Sequence, residues 1–158
     1  MTVTNSGISG TGTAQWSPNG ALLSGAVPQT ATHCFIMLGT NDRGTNTGNK
    51  PDVPFFTEDN LREIVLWLKQ NRDCEITLIS PPPTNANADT FANSGNSHRS
   101  DDQARAVHRL AKQLRTKYIP AFENLSAINT VSSVLHNDGL HLNDFGHSEM
   151  FKLLAESA

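Results

Sequence analysis

Apolar positions fall into two rhythms along the chain. Phe35-Ile36-Met37-Leu38 is a short continuous apolar run closed by Gly39. Such a run, with no alternation, reads as a strand buried on both faces. Further on, Leu61, Ile64, Val65 and Leu68 stand at i, i+3, i+4 and i+7, which is one face of a helix. Thr57 is the N-cap candidate of that helix, with Glu58 and Asp59 in the first turn, where acidic groups suit the helix dipole. Cys74 to Ile79 reads as a second strand, stopped by Pro81, Pro82 and Pro83, none of which can donate to a ladder. Residues 84–99 are small and polar and read as a long loop. Ser100-Asp101-Asp102-Gln103 matches a capping box, and the helix behind it turns Ala104, Val107, Ala111 and Leu114 inward. Tyr118 to Phe122 is a weaker strand whose Pro120 suits a sheet edge. A last helix starts near Asn143 and carries Phe145, Met150, Leu153 and Leu154.

Strands alternating with helices predict an α/β fold with a parallel sheet covered by helices. Ligands of such sheets lie beyond the carboxyl ends of the strands. That directs attention to Gly39 to Gly44, to Ser80 to Pro83, and to the stretch after Phe122. No repeat and no linker divides the chain, so residues 1–158 read as a single domain, long enough to bury a core.

Composition narrows the partners. The formal net charge is -3 and no basic patch is visible, which argues against nucleic acid and anionic membrane surfaces. No apolar run approaches the roughly 20 residues of a membrane span. The opening Met1 to Ser6 lacks the basic start and apolar core of a signal peptide, and nothing else sets a compartment. Two cysteines cannot form a disulfide scaffold and lack the close spacing of a zinc site. Cys34 and Cys74 each open a strand and read as small buried thiols. Trp67 lies one position off the inward stripe and reads as partly buried, and His33 and His108 read as structural.

Three short motifs are candidates for chemistry, although each also reads plainly, as a polar turn leaving a strand, a surface turn and a flexible chain start respectively. Gly39-Thr40-Asn41-Asp42 follows the best strand, where the Asn41 amide can donate to a developing oxyanion. Asp138-Gly139-Leu140-His141 spaces a carboxylate and an imidazole three positions apart, so that Asp138 can hold the ring and leave its other nitrogen as general base. The same spacing recurs in Asp144-Phe145-Gly146-His147, read as a dipole partner in the first helical turn and an ordinary helix residue. Near the start, Val3 to Thr11 reads as the end of a strand running into a glycine-rich turn, where Gly10 can offer a backbone N–H to an anion.

Taken in order, these motifs resemble the SGNH (GDSL-type) hydrolase family. The resemblance rests on Asn5-Ser6-Gly7-Ile8-Ser9-Gly10, Gly39-Thr40-Asn41-Asp42, Asp138-Gly139-Leu140-His141 and the strand end Ile79-Ser80-Pro81-Pro82-Pro83. It implies a flavodoxin-like three-layer sandwich with a parallel five-stranded sheet. It implies that Gly10 N–H and the Asn41 amide are oxyanion-hole donors, that His141 is the base and that Asp138 orients it. Family members cleave carboxylic esters, often acetyl groups on sugars, or lipid esters and thioesters, and they use no cofactor or metal. The implied partner is a small-molecule or carbohydrate ester.

The family's first block, Gly-Asp-Ser, carries the nucleophile, and it occurs nowhere in these residues. Ser9 is the nearest serine to the Gly10 block, but a G-x-S-x-G elbow needs glycine at position 11, where Thr11 stands. The resemblance implies that the strand bearing the block belongs between the strand ending near Asn5 and the strand at Phe35, and is missing. This predicts an N-terminally truncated domain, a fragment or late-start reading of a longer enzyme, with an apolar sheet edge open to self-association. Two other readings stand beside the esterase. One is a non-catalytic carbohydrate- or ester-binding module, or a decayed esterase. The other is a metal site drawn from His136, Asp138, His141, Asp144 and His147. The 84–99 loop, with His98 and Arg99, reads as a lid or as plain surface loop.

Overall fold

The computed structural model describes residues 2–43, 53–84, 100–128 and 130–157. Two single-turn helices open the chain, α1 (Thr13–Trp16) and α2 (Leu23–Ala26). Strand β1 (His33–Met37) leads into a 3-10 turn at Thr40–Arg43 and helix α3 (Val53–Asn71). Then come β2 (Glu75–Ile79), α4 (Ser100–Leu114), β3 (Lys117–Ile119) and α5 (Ala121–Ser126). A second 3-10 turn at Val131–Ser133 precedes the last helix, α6 (Asp144–Glu156).

The sheet is parallel in the order β1-β2-β3, with His33 opposite Glu75 and Thr77 opposite Lys117. Its two faces are covered by different helices, which makes the flavodoxin-like three-layer sandwich. Ile76 and Leu78 point into a core made with Leu61, Ile64, Val65 and Leu68 of α3 and Val107, Leu110 and Ala111 of α4. Ile79 and Ile119 point the other way, against Ala121 and Leu125 of α5 and Met150 of α6. Burying each large aliphatic side chain contributes about 1.5–3 kcal/mol relative to exposure. The inward stripe of α3 is buried throughout, and that of α4 is buried at Ala104, Val107 and Ala111, with Leu114 partly buried.

Several local expectations are corrected. Helix α3 starts at Val53, so Thr57 is an interior residue rather than a cap. Pro54 in the first turn costs no hydrogen bond there, which lets the helix begin earlier. Gln103 does not close a capping box: its amide donates to the Gly39 carbonyl at 2.7 Å, and Ser100 is already helical. The third strand ends at Ile119, and Ala121 and Phe122 are helical. Residues 2–8 form no strand, because among the described residues no strand lies alongside to take up their backbone groups.

The largest correction concerns β1. It is an edge strand, paired only with β2 among the described residues. Its burial alternates, and Phe35 and Met37 are 43% and 46% exposed. The apolar groups of α5 and α6 pack on Ile79 and Ile119 and leave that side of β1 open. Among the described residues the β1 edge is open, which is compatible with the expectation from the sequence. The 85–99 stretch, with His98 and Arg99, lies outside the described residues, as does Gly44.

Candidate active site

Strand β1 delivers the first half of the site. Gly39, at φ 122, turns the chain out of the strand, and Asp42 N–H donates to the Gly39 carbonyl at 3.0 Å, closing the turn that displays Asn41. The Ile8–Thr11 turn lies against it. Gly10 sits there at φ 76, the positive value that the third residue of such a turn requires and that glycine adopts without strain. Asn41 Nδ2 donates to the Thr11 carbonyl at 3.1 Å, so the two turns are joined beside both candidate donors. Each amide hydrogen makes one bond, and among the described residues the second hydrogen of Asn41 Nδ2 has no acceptor. Among the described residues the Gly10 N–H makes no hydrogen bond.

Asp42 fastens this half from beneath. Its carboxylate is buried, 1% exposed, and accepts from Thr13 N at 2.8 Å, Thr13 Oγ1 at 2.8 Å and Thr57 Oγ1 at 2.7 Å. Asn60 Nδ2 donates to Thr13 Oγ1 at 2.9 Å, adding a second link from α3. Burial pushes the Asp42 carboxyl above its ordinary value, against the pull of the three donors. Glycine at position 12 is required by this approach, since a Cβ there would lie 2.4 Å from Asp42 Oδ1.

The second half is a surface turn between Leu135 and Leu142, which form an isolated antiparallel bridge. His136 N–H donates to the His141 carbonyl at 2.8 Å, and Gly139, at φ 69, reverses the chain. The turn does not follow directly on the last strand, because α5 and a 3-10 turn intervene. The two side chains still meet. His141 Nδ1 lies 2.6 Å from Asp138 Oδ2, while Asp138 Oδ1 accepts from Leu140 N at 2.9 Å and His141 N at 3.0 Å. The hydrogen bond from His141, with the two backbone donors, holds the Asp138 carboxyl far below the usual carboxylate range. An ionised carboxylate only accepts, so the proton of a neutral ring sits on Nδ1 and the Nε2 lone pair is free. His141 is 70% exposed, and among the described residues Nε2 has no partner.

Asn143 and Gly146 hold the turn to the fold. Asn143 caps α6 by accepting from Gly146 N at 2.8 Å, and donates to the Ser133 and Leu135 carbonyls at 2.9 and 3.0 Å. The helix start packs so closely on Val134 that a Cβ at Gly146 would lie 2.2 Å from its carbonyl oxygen.

The four candidate residues therefore stand in two pairs, Gly10 with Asn41 and Asp138 with His141. No hydrogen bond joins the pairs among the described residues. A carboxylate-held imidazole on one turn and N–H donors on another are groups of the kinds that acyl transfer uses. Residues 1–148 match the family described as GDSL-like Lipase/Acylhydrolase. The chain belongs to that family. Solved structures with the same fold include a lipase/acylhydrolase from Enterococcus faecalis, at 14% identity and TM-score 0.69, covering 93% of this chain and 70% of that one. An acetylxylan esterase from Geobacillus stearothermophilus is 20% identical at TM-score 0.65, covering 96% and 69%. No curated protein matches the sequence significantly.

Sequence reasoning placed Asp42 inside a motif of this hydrolase family but missed its role as the buried tie. It also missed Thr13, Asn60 and Gln103. Gln103 left a signal, a polar residue on the inward stripe of α4 whose amide needs a buried acceptor. His136, Asp138, His141, Asp144 and His147 do not converge as metal ligands, since no group of three metal-ligating side chains gathers among the described residues. Asp144 and His147 are exposed on α6. Cys34 and Cys74 are free thiols packed on the core, and burial beside Cys74 pushes the Cys34 thiol up to about 12. His33 pairs with Glu75 at 3.3 Å, and His108 stacks on Tyr118. Trp67 is partly buried under the Arg72 guanidinium. No helix among the described residues is long and apolar enough to cross a membrane.

Proposed function

We propose that the chain supplies the base and the oxyanion hole of a serine ester hydrolase acting on carboxylic esters, sugar O-acetyl esters included. The observation that carries this reading is the Asp138–His141 contact of 2.6 Å, which fixes the proton on Nδ1 and turns a bare Nε2 outward. In the proposed reaction a serine hydroxyl attacks the ester carbonyl while His141 Nε2 takes its proton. Gly10 N–H and Asn41 Nδ2 hold the oxygen that becomes negative. His141 then returns the proton to the departing alcohol, and water repeats the cycle to release the acid. The two pairs must gather about one point above the carboxyl ends of the strands.

The serine comes from a polypeptide segment other than these 158 residues, which hold no Gly-Asp-Ser. The open edge of β1 and the exposed Phe35 and Met37 offer such a segment a strand position. Ser9 is a poor substitute, as it has no hydrogen bond to His141. A form carrying a Gly-Asp-Ser strand should hydrolyse p-nitrophenyl acetate and react with a serine-directed phosphonate, and His141→Ala should abolish both. A folded serine-bearing form that does neither would overturn the assignment.

The missing Gly-Asp-Ser block also favours a second reading, a module that binds an ester in the same place without cutting it. Ligand binding without turnover by the serine-bearing form would select it.

A further inference from the structure

A shallow, open cleft of about 620 Å³ lies beside the Ile8–Thr11 turn, with Ile8, Thr11, Ala14, Gln15, Gly20, Ala21 and Leu22 in its walls. Its lining is mostly apolar, and Ile8 is 49% exposed at its edge. The walls are held in place from behind. Trp16 Nε1 donates to Thr11 Oγ1 at 2.9 Å, while Trp16 and Leu23 belong to the core. Gly20 is pressed against α1 so tightly that a Cβ would lie 2.3 Å from the Gln15 carbonyl oxygen. The cleft shares Thr11 with the donor half of the site, where the Thr11 carbonyl receives the Asn41 amide.

We propose that this cleft seats the acyl chain of the substrate, which makes the preferred substrate an ester of an apolar acid several carbons long. The inference rests on the esterase reading. An ester carbonyl bound at Gly10 and Asn41 sends out two substituents. The alcohol must lie on the side of His141, because that residue returns its proton. Among the described residues, every wall of the cleft comes from residues 8–22 and none from the Asp138–His141 turn, so the cleft falls to the other substituent. The cleft is open to solvent along one side, and an acetyl group would leave most of it wet. Each methylene of a longer chain gains by leaving water against Ile8, Ala21 and Leu22.

The test needs no nucleophile. A carboxylate is the product acid and mimics the oxyanion, so the ¹⁵N-labelled chain is titrated with acetate and with hexanoate. Hexanoate should shift the Gly10, Ala21 and Leu22 amides and the Asn41 side-chain amide, and bind at least tenfold more tightly than acetate. Ala21→Trp should bring hexanoate within twofold of acetate. Ala21 is exposed, so the indole fills the cleft rather than the core, and Ala14→Phe, at a second exposed wall position, should do the same. Asn41→Ala should weaken both ligands. If both carboxylates shift Gly10 and Asn41 with affinities within twofold, the oxyanion reading stands and the acyl seat is overturned. If neither shifts Gly10 or Asn41, the oxyanion reading fails and the acyl seat falls with it.

Discussion

Asp42 and Asp138 each tie one turn of the site, one from inside the molecule and one from its surface. Asp42 is buried beneath three donors and joins the Asn41 turn to α1 and α3. Asp138 is solvent-accessible and holds a single ring and two backbone amides. The Asn41 turn, the proposed donor half, therefore has its geometry built into the core before any ligand arrives. The histidine half is a short turn whose Nε2, the proposed base, faces outward. Preorganised donors act without reorganising during the reaction, and an exposed base must be enclosed before it can act on a substrate.

The largest test of the contrast is kinetic. In a serine-bearing form, His141→Ala should lower kcat by about 10²–10⁴, the range for losing a general base. Asn41→Ala should lower it by about 10²–10³, the range for one oxyanion donor. His141→Ala should not shift the unfolding midpoint by more than a degree or two, since its side chain is exposed. Equal loss in KM with kcat intact would remove Asn41 from the oxyanion hole.

Stability should divide the two carboxylates next. Asp42→Ala leaves the Thr13 N–H and two threonine hydroxyls without their acceptor, and should cost about 3 kcal/mol in urea unfolding. Gly146→Ala drives a methyl group into the Val134 carbonyl and should cost about 1–3 kcal/mol. Their pH dependences should have opposite signs. Asp42 has its pKa raised by burial, so its contribution is full below the ordinary carboxylate value near 3.8 and is lost as pH rises through the raised value. Asp42→Asn should remove that decline. Asp138 has its pKa lowered, so its contribution is present above the ordinary value and is lost as pH falls through the lowered one. Asp138→Asn should flatten the acid limb and leave the rest unchanged.

The smallest effect concerns the open edge. Phe35→Ser with Met37→Ser should change monomer stability by less than about 1 kcal/mol, because both side chains already meet solvent. The pair should nonetheless raise the monomeric fraction in sedimentation if the β1 edge associates with another copy.

Much of this architecture is legible in the sequence where one local rule is enough. The i, i+3, i+4, i+7 stripe from Leu61 to Leu68 is buried as its spacing requires, and Asn143 caps the last helix. The rule fails where a distant partner decides. Thr57 has the chemistry of a cap, but its hydroxyl goes to Asp42, fifteen residues away. Gln103 completes a capping-box pattern, yet its amide crosses to the Gly39 carbonyl. The run at Phe35 to Leu38 looks doubly buried because its composition records an apolar face, whether or not a neighbour covers it. The meeting of Asp138 with His141 was legible from their spacing. The buried tie at Asp42 was not, because nothing in a Gly-Thr-Asn-Asp string says which carboxyl or amide turns inward.

The most direct measurement is a crystal structure of a serine-bearing form inhibited by a phosphonate. The account expects the phosphonyl oxygen within hydrogen-bond distance of both Gly10 N and Asn41 Nδ2, with His141 Nε2 in reach of the modified serine oxygen. An adduct whose oxygen points away from those donors, or whose serine lies beyond reach of His141, would contradict it.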